Sequence, residues 1–320
     1  MTSGTASTRP RLSDDVLAER LADTIDPGGL VVLLDRQPSG SGTFPKEVVR
    51  CRLRDGSERA LFCKYAAPRL DAHGHRGGIR YEAEVYRRVL ATAASPTPGF
   101  AGAVLDDEDG EDSLFLEFLE GGERLSDRYQ EMATAARWLG TFHREFESPL
   151  ARADLSFLIR YDEDYYIGWA GRTAEYASHW HRGGSWLSRL CDRFAEIVPV
   201  LLKAPQTVIH GEYTIHNVMF VGEDVHPTDW ESAAIAAGEI DVMCLVDRWA
   251  DETVELCVWE YATARWGDDV PAGYAERLAA AELYLHFRWL GEHPDLMLHE
   301  KRRWRLDRLE FLAERLGVLA

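Results

Sequence analysis

The stretch that most constrains this chain is His210-Gly211-Glu212-Tyr213-Thr214-Ile215-His216-Asn217-Val218, followed after a short hairpin by Thr228-Asp229-Trp230-Glu231. Glu212 and Asn217 are five residues apart on one loop, so an acid and an amide can face the same small volume. A second acid, Asp229, arrives from the next strand and completes a cage of oxygen atoms. Such a cage suits Mg2+, which takes carboxylate and amide oxygens and fills the rest of its shell with phosphate and water. Glu212 is then left to accept a proton from an attacking hydroxyl.

The rest of the sequence divides in two. Ser13-Asp14-Asp15 caps a short amphipathic helix over 16–24, and strands are expected over 30–34, 47–53 and 60–65, with a hairpin turn at 54–57. A Gly- and His-rich loop at 73–78 leads to a helix over 79–93 and to strands over 100–105 and 113–119. Gly121-Gly122 then serves as a linker. Beyond it the pattern is mostly helical, over 129–147, 161–176, 186–202 and from 242 onward, with short strands at 206–209 and across 218–229. The expectation is an α+β chain with a disordered tail at 1–12, a small β-rich N-terminal lobe at 13–120 and a larger, mostly helical C-terminal lobe at 121–320.

Lys64 gives the N-terminal lobe its chemistry. It lies within the apolar strand Ala60-Leu61-Phe62-Cys63-Lys64-Tyr65, where an unpaired ammonium is costly. A carboxylate on the following helix and the phosphates of a nucleotide are the available partners. Pro38-Ser39-Gly40-Ser41-Gly42-Thr43 supplies small residues whose amides can approach phosphate oxygens, and it does not match the Walker pattern.

The His-Gly-acid loop, the Asn five residues after the acid and the later Asp-Trp-Glu resemble the catalytic and metal loops of the aminoglycoside phosphotransferase family. That resemblance implies a bilobal, protein-kinase-like fold and an ATP- and Mg2+-dependent kinase. It makes Glu212 the general base, assigns Mg2+ to Asn217 and Asp229, and makes Asp241 of Gly238-Glu239-Ile240-Asp241 a buried support of the loop. Glu82 becomes the helix acid that pairs with Lys64, with Glu84 the second choice. Ser39, Gly40, Ser41 and Gly42 become the nucleotide loop, and Glu117 and Leu119 meet the base through carbonyl and amide. His210 braces its loop. The family usually carries Asp where this chain has Glu212. The extra methylene leaves three outcomes open: a loop that recedes, a differently seated acceptor, or activity weakened or lost.

The formal net charge of -18 disfavours nucleic acid and anionic membranes. No apolar run approaches a membrane span, residues 1–10 lack the core of a signal peptide, and five scattered cysteines form no CxxC pair. The expected location is the cytoplasm. Neither His73 with His75 nor His179 with His181 has the further ligands of a metal site, so hydrogen-bonding or surface roles are expected. Aromatic residues crowd 161–186 around Asp162, Glu163 and Asp164. They read equally as an acidic cleft for a cationic acceptor or as core packing at helical spacing. The expected partner is a hydroxylated small molecule, with no protein partner indicated. A kinase of peptide Ser or Thr and a nucleotide-binding pseudokinase scaffold remain the alternatives.

Overall fold

A computed structural model describes residues 12–39, 44–67, 73–106, 111–147, 153–178, 184–292 and 303–318. Helix α1 (Asp14–Ile25) precedes strands β1 (Val32–Pro38), β2 (Lys46–Arg52) and β3 (Glu58–Tyr65). Helix α2 (Gly78–Arg88) leads to β4 (Phe100–Val104), β5 (Ser113–Glu117) and β6 (Glu123–Arg124). Next come α3 (Met132–Glu145), β7 (Ile159–Arg160), α4 (Glu163–Ser178), α5 (Gly184–Arg193) and α6 (Val198–Leu202). Strands β8 (Gln206–Ile209), β9 (Val218–Val221), β10 (Asp224–Pro227) and β11 (Ala234–Ala237) follow. The described chain ends with α7 (Glu239–Leu245), α8 (Asp251–Trp266), α9 (Tyr274–Glu292) and α10 (Arg303–Arg315). Of the tail expected at 1–12, residues 1–11 lie outside the described residues, as do His179 and His181, while Leu12 packs against the core of the first unit.

These elements make two compact units. The first takes in the described residues of Met1–Asp71, Arg76–Glu123 and Met219–Glu231; the second takes in those of Ala72–His75, Arg124–Val218 and Ser232–Ala320.

In the first unit the sheet runs β1-β2-β3-β5-β4, with antiparallel neighbours. Ser13 caps α1 by accepting from the Val16 amide, and Asp14 and Asp15 sit at the positive end of the helix. Leu17 and Leu21 of α1 pack against Val49, Cys51, Leu61, Cys63, Tyr65 and Phe115 of the sheet. Because side chains alternate along a strand, Leu61, Cys63 and Tyr65 take this core face and Lys64 takes the other. β1 begins and ends later than its apolar run suggests, and it carries Asp35, Arg36 and Pro38. Among the described residues it is an edge strand paired only with β2 and irregular between Leu33 and Asp35, so it tolerates charge and a residue without an N–H. The helix expected to reach 93 stops at Arg88, and a tighter turn at Leu90–Thr92 follows. The Thr92 hydroxyl donates to the Val89 carbonyl at 2.8 Å there and so competes with the helical ladder.

In the second unit α3 lies close against α8. A Cβ on Gly140 would stand 2.4 Å from the Tyr261 carbonyl oxygen, so only glycine permits this approach. A small sheet runs β7-β11-β8, with the fully buried Ala234–Ala237 parallel to β7 and antiparallel to β8. The single helix expected over 186–202 is two helices joined by a turn, because Pro199 stands in the first turn of α6 and cannot donate to a continuing ladder. All five cysteines are unbridged and buried, and no described helix is long and apolar enough to cross a membrane.

The close contact of α3 and α8 makes Gly140→Ala a test of packing. It is expected to cost about 1–3 kcal/mol by overpacking and to lower the thermal midpoint, and an unchanged midpoint would contradict the described approach. His75, His143 and His286 are all buried, and burial holds each below the ordinary imidazole value of 6.5. The unfolded chain therefore binds protons near that pH before the folded one does, so this stability is complete above about 6.5 and is lost as pH falls. His286→Gln, which cannot titrate, should show a shallower loss of urea midpoint between pH 7.5 and 5.5 than the unmodified chain.

Candidate active site

In the first unit, the face of β3 away from the α1 core presents Lys64. Its ammonium is 2.7 Å from Glu82 Oε2 of α2 and 2.8 Å from Asp229 Oδ1 beyond β10. Burial disfavours the charge, but Glu82, Asp229 and Glu231 more than offset it, so Lys64 is held above its usual range and stays cationic. The other oxygen of Glu82 accepts the Trp230 amide at 3.1 Å, which ties α2 to the Asp-Trp-Glu turn. Asp229 has a φ of 64, a conformation rare for a side-chain-bearing residue and more tolerable for Asp than for most. Its side chain is 32% exposed, whereas Lys64 and Glu82 are buried, so Asp229 is the member of the cluster that an incoming ligand can reach.

Glu231, which carried no role in the sequence reading, belongs to the same cluster. Burial raises its carboxyl to about 8, and its Oε1 lies 3.5 Å from Arg76 Nε. Three acids thus face Lys64 and Arg76 in a low-dielectric pocket, with hard oxygen donors in excess of local positive charge when all three ionise. Asp229, the exposed member, offers carboxylate oxygens of the kind a hard divalent cation takes alongside phosphate. Among the described residues no group of three or more His, Cys, Asp or Glu forms a metal site by itself.

In the second unit, β8 delivers the loop that begins at His210. Asp241 of α7 is fully buried and grips the loop with both oxygens, accepting the His210 amide at 2.6 Å and the Gly211 amide at 2.9 Å. His143 of α3 lies 3.3 Å from the same carboxylate and 2.9 Å from the Tyr261 hydroxyl. Gly211 has a φ of +81, and a Cβ there would meet the Ser232 carbonyl oxygen at 2.2 Å. The His210 ring accepts the Glu212 amide at 3.3 Å, a bracing contact within the turn. The Asn217 side-chain amide donates to the Glu212 carbonyl at 3.0 Å, fixing which end of the amide faces the loop.

Lys64, Glu82 and Asp229 are therefore together in the first unit, and Glu212, Asn217, His210 and Asp241 are together in the second. Glu84 pairs with Arg87 and Arg88 on its own helix, away from Lys64. Ser39 donates its amide to the Lys46 carbonyl at 3.0 Å, while Gly40, Ser41 and Gly42 lie outside the described residues. Around the expected hinge, the amides of Glu117, Phe118 and Gly122 bond to Gly99, Ala60 and Leu119 carbonyls, and the Leu119 amide takes no part in these bonds.

The aromatic stretch divides its two readings. Tyr161, Tyr165, Tyr166 and Trp169 are buried, while Asp162, Glu163 and Asp164 are exposed and Asp162 caps α4. The aromatics pack as core, with Tyr161 stacked on Tyr165 at 3.9 Å. Two groups stand next to Glu212: Arg288, which had no sequence signal, has Nη1 2.9 Å from Glu212 Oε1, and His75, expected only to hydrogen-bond or lie at the surface, has Nε2 3.3 Å from it. They come from 76 and 137 residues away, and only the packing of α9 and the 73–78 loop unites them.

The model of the phosphotransferase enzyme family (APH) matches residues 50–293, and the chain belongs to that family. It is a phosphotransferase with an alcohol group as acceptor. The fold is similar to that of choline kinase LicA from Streptococcus pneumoniae, at TM-score 0.63 and 11% identity over 95% of this chain and 99% of that one. A GDP complex of aminoglycoside 2'-phosphotransferase-IIIa gives TM-score 0.63 and 12% identity, again over 95% and 99%. A choline/ethanolamine kinase family protein from Mesorhizobium loti gives TM-score 0.57 and 14% identity over 89% and 90%. These likenesses establish the α+β, protein-kinase-like fold. No curated protein sequence matches.

Asp241→Ala strips the acceptor from two buried amides, each worth about 1–3 kcal/mol when left unsatisfied. It should lower the denaturation midpoint, with Asp241→Asn milder because one acceptor oxygen remains. Equal stability of all three proteins in a urea titration would contradict the grip on the loop.

Proposed function

We propose that this phosphotransferase moves the γ-phosphoryl of ATP to a hydroxyl of a small molecule. The observation that carries the proposal is Lys64, a buried cation held at 2.7 Å by Glu82 and at 2.8 Å by the reachable Asp229. Lys64 neutralises and orients phosphate oxygens, and Glu82 keeps Lys64 extended toward them. Asp229 and Asn217 would hold Mg2+, which when bound would offset phosphate charge. Ser39, Gly40, Ser41 and Gly42 line the phosphates, and the Glu117 carbonyl and Leu119 amide meet the adenine. Glu212 orients the acceptor and takes its proton. The acceptor oxygen forms a bond to the γ-phosphorus, the bond from that phosphorus to the β–γ bridging oxygen breaks, and ADP leaves with the electron pair. Most of the rate comes from placement and charge neutralisation.

The division of labour assigns nucleotide binding to residues 13–120 and acceptor binding to 121–320. The net charge of -18 would favour a cationic acceptor only where acids cluster at the acceptor site, and five unbridged thiols suit the reducing cytoplasm.

Release of ADP from ATP with and without Mg2+ tests the proposal, using choline, kanamycin and water as hydroxyl sources. Turnover should require Mg2+ and fall at least about a hundredfold in Glu212→Ala and in Asp229→Ala. Nucleotide bound with Mg2+ but never turned over would favour the scaffold alternative, and no nucleotide binding at all would end both.

A further inference from the structure

We infer that Arg288 and His75 are positioning residues for Glu212, fixing the carboxylate that takes the acceptor's proton. This rests on the base role proposed above for Glu212.

Glutamate has one more rotatable bond than aspartate, so a base built on it needs an external hold. Arg288 supplies one. Its guanidinium is fully buried, and Nη1 lies 2.9 Å from Glu212 Oε1, 2.7 Å from His75 Nε2 and 3.4 Å from Glu292 Oε2. Among the described residues every contact between Arg288 and a carboxylate goes through that one nitrogen. A two-pronged fork would maximise the bond to a carboxylate. A single-point contact instead fixes where one oxygen sits. Guanidinium keeps its protons, so Nη1 is the donor to both Glu212 and His75. His75 Nε2 is then the bare nitrogen, and Nδ1 carries the proton toward the Tyr161 and Tyr165 hydroxyls, each 3.1 Å away. Tyr165 is in turn 3.1 Å from the Tyr284 hydroxyl. Two tyrosines thus set the His75 ring, His75 sets one N–H of Arg288, and Arg288 sets Glu212. All four are buried, and Glu212 is the carboxylate at the end of the chain of contacts.

This arrangement bears directly on the length of Glu212. Arg288 holds the longer side chain by its far oxygen, so the extra methylene is taken up in the hold rather than in a floating carboxylate. A misplacement near 1 Å at a base costs about a hundredfold in rate.

The test measures kcat and the KM for MgATP in the full chain, using ADP release with choline, kanamycin or water as hydroxyl source. Arg288→Met and His75→Phe should each lower kcat about ten- to a hundredfold, with the KM for MgATP changed less than about twofold. His75→Gln should recover most of the rate, because its amide oxygen can accept from Arg288 and its NH2 can donate to the tyrosines. Glu212→Asp should lose rate in the unmodified chain but little more in Arg288→Met, since the hold it forfeits is already gone. If Arg288→Met fails to fold, Arg288→Lys together with the two His75 variants decides. Full kcat in these variants while Glu212→Ala is inactive would overturn the positioning role alone. An active Glu212→Ala would instead remove the base role on which it rests. Equal loss of kcat in His75→Phe and His75→Gln would also overturn it, because the hydrogen-bonding pattern would then not matter.

Discussion

A buried ammonium surrounded by acids organises the first unit. Lys64 stands on a strand whose alternate residues feed an apolar core, and its own face would be untenable without partners. Glu82 answers from α2 and Asp229 from the turn after β10, so one cation joins a strand, a helix and a hairpin that are distant in sequence. Because Glu82 also accepts the Trp230 amide, the helix and the turn are fixed to each other as well as to the lysine. Burial raises the Glu231 carboxyl to about 8, so that acid keeps its proton near neutral pH while Lys64 stays cationic between Glu82 and Asp229.

The second unit solves a different problem, which is to hold a polar turn rigid inside an apolar surround. Asp241 does so by accepting two consecutive amides, and His143 and Tyr261 back it from α3 and α8. The fit of those two helices around Gly140 therefore reaches the loop through His143. Glu212 gains a second layer of support from Arg288 and His75, charged and polar groups brought in by α9 and by the loop before α2.

Much of this was legible in the residues. The strands expected over 47–53 and 60–65 correspond to β2 and β3, and the lysine within the second is the one that Glu82 and Asp229 pair. Where expectation and structure part, the cause is tertiary. Ala234–Ala237 has only Ile235 to favour a strand and becomes one because β7 and β8 pair with it on both sides. The edge position of β1 lets it run on through charge and proline. The aromatic run over 161–169 is compatible with a cleft or a core, and burial decides for the core: Tyr161 stacks on Tyr165, and Tyr166 meets Tyr284 edge-on.

By itself the sequence determined which residue types could bind a cation, carry a phosphate and take a proton, since those depend on functional groups at short spacing along one loop or strand. It also determined the strand-rich beginning and helix-rich remainder, because periodicity is a local property. Only the tertiary structure decided that Glu231 shares the pocket of Lys64, and that Arg288 and His75 stand beside Glu212. Those choices depend on helix rotation and on contacts across long stretches of chain, where a side chain's partner is set by packing geometry and burial rather than by its neighbours in sequence.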